Sequence, residues 1–163
     1  MKGITFKTTK RISPRSVQRL FRCLEFSDWW TLKDVEWYLN HAVFVVSAWH
    51  GRKLAGIGVL VGDGRIQVEI GTLLVDEACQ RRGIGTQMLT RIMKKVESLK
   101  PYWCQVATCP ELGEALYRKF GFDDGHPIVL NHAPTSARWR AKANRDRIQR
   151  RKRSGRREPA WRR

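Results

Sequence analysis

Between Val43 and Val75 the chain carries three β-rich runs with almost nothing between them, and this spacing limits its possible folds more than any other feature. "VFVVSAW" is followed by His50 and Gly51, "LAGIGVLV" by Gly62, Asp63 and Gly64, and "RIQVEIGTLLV" comes next. Links this short join antiparallel neighbours, because a parallel crossover needs a dozen residues or more. The runs therefore predict an antiparallel meander. In the third run Ile66, Val68 and Ile70 alternate with Gln67 and Glu69, but the pattern fails at Gly71-Thr72 before Leu73, Leu74 and Val75. Strand side chains alternate faces with period two, so a phase break at a glycine predicts a β-bulge.

Helical spacing flanks the meander. Residues 4–9 read as a short strand, and "SPRSVQRLFRCLEF" as a helix with Ser13 at the N-cap, Pro14 at its first position and Val17, Leu20, Phe21 and Leu24 inward. "TLKDVEWYLNHA" adds a second helix, with Thr31 and Asp34 as a capping-box pair and Val35, Tyr38, Leu39 and Ala42 on one face. Beyond the meander Met88, Leu89, Ile92, Val96 and Leu99 mark a helix ended by Pro101. "YWCQVAT" reads as a strand, "PELGEALYRKF" as a helix begun by Pro110 and closed by Gly121, and "PIVLNH" as the last strand. The order βααβββαβαβ predicts an α/β fold: a mixed, mostly antiparallel sheet flanked by helices, with a bulged fourth strand.

Charge divides the chain. Its 163 residues hold 32 Lys and Arg against 15 Asp and Glu, net +17, which favours a polyanionic partner. Residues 134–163 alone carry 13 of those bases and two acids, with Trp139, Ile148 and Trp161 as the only large apolar groups. That is too little to build a core, so we expect a folded domain over 1–133 and a basic tail, disordered or helical, over 134–163. Eleven of the 13 bases are arginine, which binds phosphate bidentately and stacks on bases. Arg138 and Arg140 beside Trp139, and the run Arg150, Arg151, Lys152 and Arg153, are candidate contacts to RNA or DNA. The alternative is a solvated extension.

"MKGITFKTTK" lacks the apolar run of a secretory leader, and nowhere do about 18 apolar residues occur together, so a cytoplasmic chain without a membrane span is expected. Cys23, Cys79, Cys104 and Cys109 then read as reduced thiols. Cys104 and Cys109 with His126 and His132 match no zinc-knuckle spacing, and no metal site is expected.

"QRRGIGTQM" places Gly83 and Gly85 where a helix should begin. A helix N-terminus leaves several N–H groups without partners and concentrates positive charge, so it seats anions. Gly83 and Gly85 would clear the approach to those amides, and Arg81 and Arg82 would add charge beside it. A tight strand-to-helix turn is the other reading. The loop has no GK[ST] and so is not a P-loop, and Met88 stands where a dinucleotide fingerprint needs its third glycine.

Two segments together resemble a known family. "LLVDEACQRRGIGTQML" resembles the signature of the GNAT superfamily of N-acyltransferases, whose [QR]-x-x-G-x-[GA] loop is matched by Gln80, Arg81, Arg82, Gly83, Ile84 and Gly85. "ALYRKFGF" resembles that superfamily's Tyr-x-x-x-Gly-Phe, at Tyr117, Gly121 and Phe122, and the likeness covers residues 4 to about 131. The resemblance implies acetyl-CoA, or a related acyl-CoA, as cofactor, with donors from Arg81 to Thr86 on its pyrophosphate. It also implies that the bulged fourth strand, at Leu74 and Val75, pairs with the pantetheine arm. Pro110 departs from the pattern, standing where the family commonly has an asparagine.

Acyl transfer to an amine needs a base for the amine and an acid for the departing thiolate. The resemblance implies Tyr117 as the acid, and a core tyrosine is its alternative. Glu69, on the polar side of the bulged strand, is the candidate base, directly or through water; a solvated strand residue is the alternative, and His41, His50, His126 and His132 are weaker substitutes. On the acceptor side Trp29 and Trp30 would stack on an aromatic group or pack beneath their loop, and Asp28, Asp123 and Asp124 would attract a cationic amine. A domain that keeps the fold without turnover and binds nucleic acid through its tail is the competing function.

Overall fold

The structure, a computed structural model, describes residues 3–22, 30–106 and 113–123. Its elements follow the expected order: β1 (Ile4–Lys7), α1 (Pro14–Phe21), α2 (Leu32–His41), β2 (Phe44–His50), β3 (Lys53–Gly62), β4 (Gln67–Val75), α3 (Ile84–Leu99), β5 (Trp103–Gln105) and α4 (Glu114–Arg118). The expected strand at "PIVLNH", the tail and residues 23–29 lie outside the described residues.

One five-stranded sheet runs in the order β1-β2-β3-β4-β5. The first three pairings are antiparallel and β4 pairs parallel with β5. Helix α1 starts with Ser13 at its N-cap and Pro14 inside its first turn, although the Ser13 side chain makes no capping bond. Helix α2 has the expected capping box: the Asp34 amide donates to Thr31 Oγ1 at 3.2 Å, and the Thr31 amide donates to Asp34 Oδ2 at 2.7 Å. Helix α4 is shorter than expected, with Gly113 at its N-cap. Its end is tightened by bonds from Phe120 N to Tyr117 O and Gly121 N to Arg118 O, and Gly121 then takes a φ of 85°.

Two apolar layers cover the sheet. Met88, Leu89, Ile92 and Val96 of α3 pack with Val46, Ala48, Leu60, Val68 and Ile70 on one face. Val17, Leu20 and Phe21 of α1 and Val35 and Leu39 of α2 pack with Val45, Leu54, Ile57 and Val59 on the other. The glycines of "LAGIGVLV" set how closely α3 approaches: a Cβ on Gly58 would stand 2.8 Å from Ile92 Cδ1. At the β3–β4 turn the Asp63 carboxylate accepts the amides of Arg65, Ile66 and Gln67, which holds its pKa below the usual carboxylate value.

The phase break in β4 is a bulge. Val59 of β3 faces Thr72 while Leu60 faces Ile70, so Gly71 is the extra residue. Gly71 and Thr72 consequently both face α2: a Cβ on Gly71 would lie 2.7 Å from the Tyr38 hydroxyl, which shares a 2.9 Å hydrogen bond with Thr72 Oγ1. A second irregularity was not expected. Ala55 is skipped between the pairs Trp49–Leu54 and Ala48–Gly56.

The bulge gives a test of coupling. Gly71→Ala should cost about 1–3 kcal/mol by urea unfolding, because the new methyl meets the Tyr38 hydroxyl. In that background Tyr38→Phe should cost less than it does alone, since it removes the clashing oxygen. Additive effects would show that Gly71 is not there to make room for Tyr38.

Candidate active site

Among the described residues, strand β4 leaves its bulge with one neighbour instead of two. Strand β5 pairs only with its first part, Gln67 to Glu69 against Trp103 to Gln105. From Ile70 to Val75 the edge of β4 turned away from β3 is unpaired among the described residues. Gln80 reaches back to that end of the strand, its Nε2 donating to the Val75 carbonyl at 3.1 Å.

The next few residues are fastened to β3. The Asp76 amide donates to the Ala55 carbonyl at 2.9 Å, and the Asp76 carboxylate binds Lys53 Nζ at 2.8 Å and accepts the Ala78 amide at 3.2 Å. The Lys53 hydrogen bond, then the Ala78 amide, lower the Asp76 pKa against a partial opposing effect of burial. One short 3-10 turn, Glu77–Cys79, follows with Cys79 buried beneath it. Neither Asp76 nor Lys53 stood out in the sequence; an aspartate at a strand's end, read as a cap, was the available signal.

Beyond this anchor the backbone changes hand twice. Arg81 has a φ of 57° and Gly83 a φ of 74°, whereas Arg82 between them stays at negative φ. Alternating hands turn successive amides to one side, the geometry of an anion nest. Gly83 is the N-cap of α3, and the first helical amide to find an acceptor is that of Gln87, on the Gly83 carbonyl at 3.0 Å. Among the described residues the amides of Arg81, Arg82, Gly83, Ile84, Gly85 and Thr86 have no acceptor. The Ile84 side chain is buried and pins the loop to the core, while Arg81, Arg82 and Thr86 are exposed.

The two glycines play different parts. A Cβ on Gly83 would meet nothing within 4 Å, so the approach to the amides is open there. A Cβ on Gly85 would lie 3.5 Å from Leu116 Cδ2 and 3.9 Å from Val75 Cγ2, so this glycine borders the space between the end of β4 and α4.

Tyr117 sits on α4 within the α3-side core, 7% exposed, its ring edge-on to Phe122 at 5.7 Å. Its hydroxyl has no hydrogen-bond partner among the described residues, and burial pushes its pKa up to about 12. Glu69 is half-buried and faces the other way, toward α2. Burial, and next to it the Glu69 charge against the opposing Thr72 bond, raise Tyr38 to about 12. Glu69, Tyr38 and Thr72 thus form a polar group beside the open edge. Glu69 and Tyr117 lie on opposite faces of the sheet.

The remaining candidates are scattered. Trp30 packs edge-on against Phe21 at 5.3 Å and Tyr38 at 5.0 Å, which fits the packing alternative for this residue; Trp29 lies outside the described residues. His41 stacks on Trp37, His50 is exposed, and His126 and His132 lie outside the described residues. So do Asp28, Asp124, Pro110 and the tail bases Arg138, Arg140, Arg150, Arg151, Lys152 and Arg153. No group of His, Cys, Asp and Glu able to hold a metal occurs among the described residues, and none of their helices is long and apolar enough to cross a membrane.

The model of the acetyltransferase (GNAT) family matches residues 13–122. The chain belongs to this family. Its fold is shared with a GNAT-family acetyltransferase of Streptococcus pneumoniae TIGR4, at 26% identity over 82% of this chain and 98% of that one, with a TM-score of 0.67. A protein of meticillin-resistant Staphylococcus aureus superposes with a TM-score of 0.70, at 23% identity over 82% and 99% of the two chains. AAC(6')-Iy, solved in complex with the bisubstrate analogue CoA-S-monomethyl-acetylneamine, has the same fold at 14% identity, covering 80% of this chain and 98% of that one, TM-score 0.63. None of the curated proteins compared matches the chain. In this GNAT chain the matched loop and the Tyr117 helix meet through Gly85 and Leu116.

The anchor of the loop carries a pH signature. The folded pKa of Asp76 is lowered, so its contribution is fully present above the unfolded value of about 3.9 and is lost as pH falls through the folded value. Asp76→Asn should therefore be less stable than the parent at pH 7, and the difference should shrink in acid below about pH 4. A difference that does not change with pH would separate Asp76 from this role.

Proposed function

We propose that this GNAT-family chain transfers an acetyl group, or a related acyl group, from acyl-CoA to an amine. The observation that carries the reading is the row of amides from Arg81 to Thr86, without acceptors among the described residues, beside an edge of β4 that is likewise unpaired among them. The residues fit the donor. The amides and the Arg81 and Arg82 side chains offer donors and charge for a diphosphate, and the edge at Leu74 and Val75 offers backbone partners to an amide-bearing arm. Bound acyl-CoA supplies an activated thioester. AAC(6')-Iy, seen with a CoA bisubstrate analogue, supports the same donor here.

The side chains divide the proton chemistry between them. Tyr117 keeps its proton well above neutral pH and holds it for the departing sulfur. In this reading Glu69 takes a proton from the acceptor amine, directly or through water, from the α2 side of the sheet. Trp30, packed against Phe21 and Tyr38, borders the acceptor side in this reading, and Trp29 lies outside the described residues. Gln80 acts by tying the loop to β4.

The competing reading, a GNAT-fold protein that binds RNA or DNA without turnover, rests on the 13 bases of residues 134–163 and on Pro110. The amides and the open edge favour the enzyme.

Acetyl-CoA should raise the melting temperature, a ligand at 100 times its Kd adding about 2.7 kcal/mol. Gly85→Glu should abolish the shift by bringing bulk and negative charge between Val75 and Leu116. No shift of the parent protein at millimolar acetyl-CoA would sink the enzyme reading. Tyr117→Phe should leave acetyl-CoA binding and stability close to the parent, because the lost hydroxyl has no partner among the described residues. It should nevertheless lower kcat by roughly 10²–10⁴, followed as CoA release. An unchanged rate would return Tyr117 to the core.

A further inference from the structure

Two hydroxyls on the α2 side of the sheet have no part in the reaction proposed above, those of Tyr38 and Thr72, joined by a 2.9 Å hydrogen bond. The bulge brings them together. Strand side chains alternate, so Glu69 and residue 71 share a face, and the extra residue at Gly71 turns Thr72 to that face as well. Tyr38 meets them from α2, its hydroxyl 2.7 Å from where a Gly71 Cβ would stand. Same-face positions along a strand are about 7 Å apart. The hydroxyl therefore lies over the position next to Glu69, where a glutamate side chain meets it directly or across one water.

The Tyr38 ring is held in place. Trp30 packs edge-on against it at 5.0 Å and against Phe21 of α1 at 5.3 Å, and Gln18 of α1 donates from Nε2 to the Trp30 carbonyl at 2.9 Å. The ionisable neighbours of Tyr38 along α2 are engaged elsewhere: Asp34 accepts the Thr31 amide and hydroxyl, and His41 stacks on Trp37. Glu69 makes no ion pair among the described residues, and Val61 and Gln105, its partners in the strand register, carry no charge. Burial, opposed by the Thr72 bond and aided by the Glu69 charge, pushes the Tyr38 pKa up to about 12, so this hydroxyl keeps its proton near neutral pH. Two hydroxyls that share one hydrogen bond have one proton left to donate. When Thr72 donates to the Tyr38 oxygen, that proton belongs to Tyr38 and the anion beside it is Glu69.

We propose that Tyr38 is a positioning residue for Glu69: it accepts from Thr72 and donates to the Glu69 carboxylate, directly or through one water, holding that carboxylate in place beside the open edge of β4. The proposal rests on the reading of Glu69 as the base. Tyr38 keeps its proton throughout, and Glu69 takes the one that leaves the amine.

The test follows CoA release by the full chain from acetyl-CoA, with n-butylamine, spermidine or a lysine-containing peptide as acceptor, in the parent, Tyr38→Phe, Glu69→Gln and the double variant. Tyr38→Phe should lower kcat about tenfold or more while the melting shift given by acetyl-CoA stays as in the parent. In the Glu69→Gln background the same change should cost little further, because the carboxylate it orients is gone. Thr72→Val, which leaves the Tyr38 ring untouched, should reproduce part of the loss, and Thr72→Ser should restore it. The NMR resonance of the Glu69 carboxylate carbon should move in Tyr38→Phe and stay in place in Tyr117→Phe, across the sheet. A merely structural Tyr38 would slow both backgrounds by the same factor; that result, a Tyr38→Phe rate equal to the parent's, or an unmoved carboxylate resonance would overturn the proposal and leave Glu69 as the base. If Glu69→Gln keeps the parent rate, the base assignment itself falls and the proposal with it. If the parent releases CoA with none of the acceptors, the enzyme reading falls first.

Discussion

A strand can pair with two neighbours only while its backbone keeps the twist that both require, and among the described residues β4 keeps both only as far as Glu69, just before the Gly71 bulge. The extra residue keeps β3 paired across the bulge, while among the described residues β5 pairs only with Gln67, Val68 and Glu69. Everything proposed for the site depends on that parting. Among the described residues it leaves backbone groups of β4 from Ile70 to Val75 without a second strand partner, in a sheet with Glu69 and Tyr38 on its α2 side and Tyr117 on its α3 side. A side chain at position 71 would run into the Tyr38 hydroxyl, so glycine is required by space rather than by φ.

The open edge leads into a second region of unmet hydrogen bonding. Amides without acceptors are tolerated where water or an anion can reach them, and Arg81, Arg82, Gly83 and Thr86 are exposed. The loop is nevertheless held firmly. Ile84 is buried in the core, Gln80 is bonded to Val75, and Asp76 is tied to Lys53 and to the carbonyl of Ala55. A seat whose donors are fixed before the ligand arrives costs little reorganisation on binding.

What the sequence reveals follows the range of the interaction. The meander, the Gly71 bulge, the Thr31–Asp34 box and the inward face of α3 are local patterns with a period or a cap, and each is found where the residues place it. The Ala55 irregularity was hidden because β3 is apolar on both faces, so "LAGIGVLV" has no alternation to break. The Tyr38–Thr72 contact joins residues 34 positions apart, and Lys53 reaches Asp76 across the β3–β4 hairpin. Nothing periodic marks either pair. Spacing marked Gln80 as part of a binding motif, but only the folded chain shows its carboxamide spent on Val75. For Trp30 local reading left stacking and packing open, and the Phe21 and Tyr38 rings supply the packing.

The most direct measurement of the central claim is the set of backbone amide resonances from Arg81 to Thr86, followed by NMR as acetyl-CoA is added. If these amides seat the diphosphate, they should shift strongly and become protected from exchange with solvent, while amides in the last turns of α3 stay in place. Desulfo-CoA, which keeps the diphosphate, should reproduce the effect. Saturation with acetyl-CoA while the amides from Arg81 to Thr86 keep their free positions would contradict the account and move the donor site elsewhere.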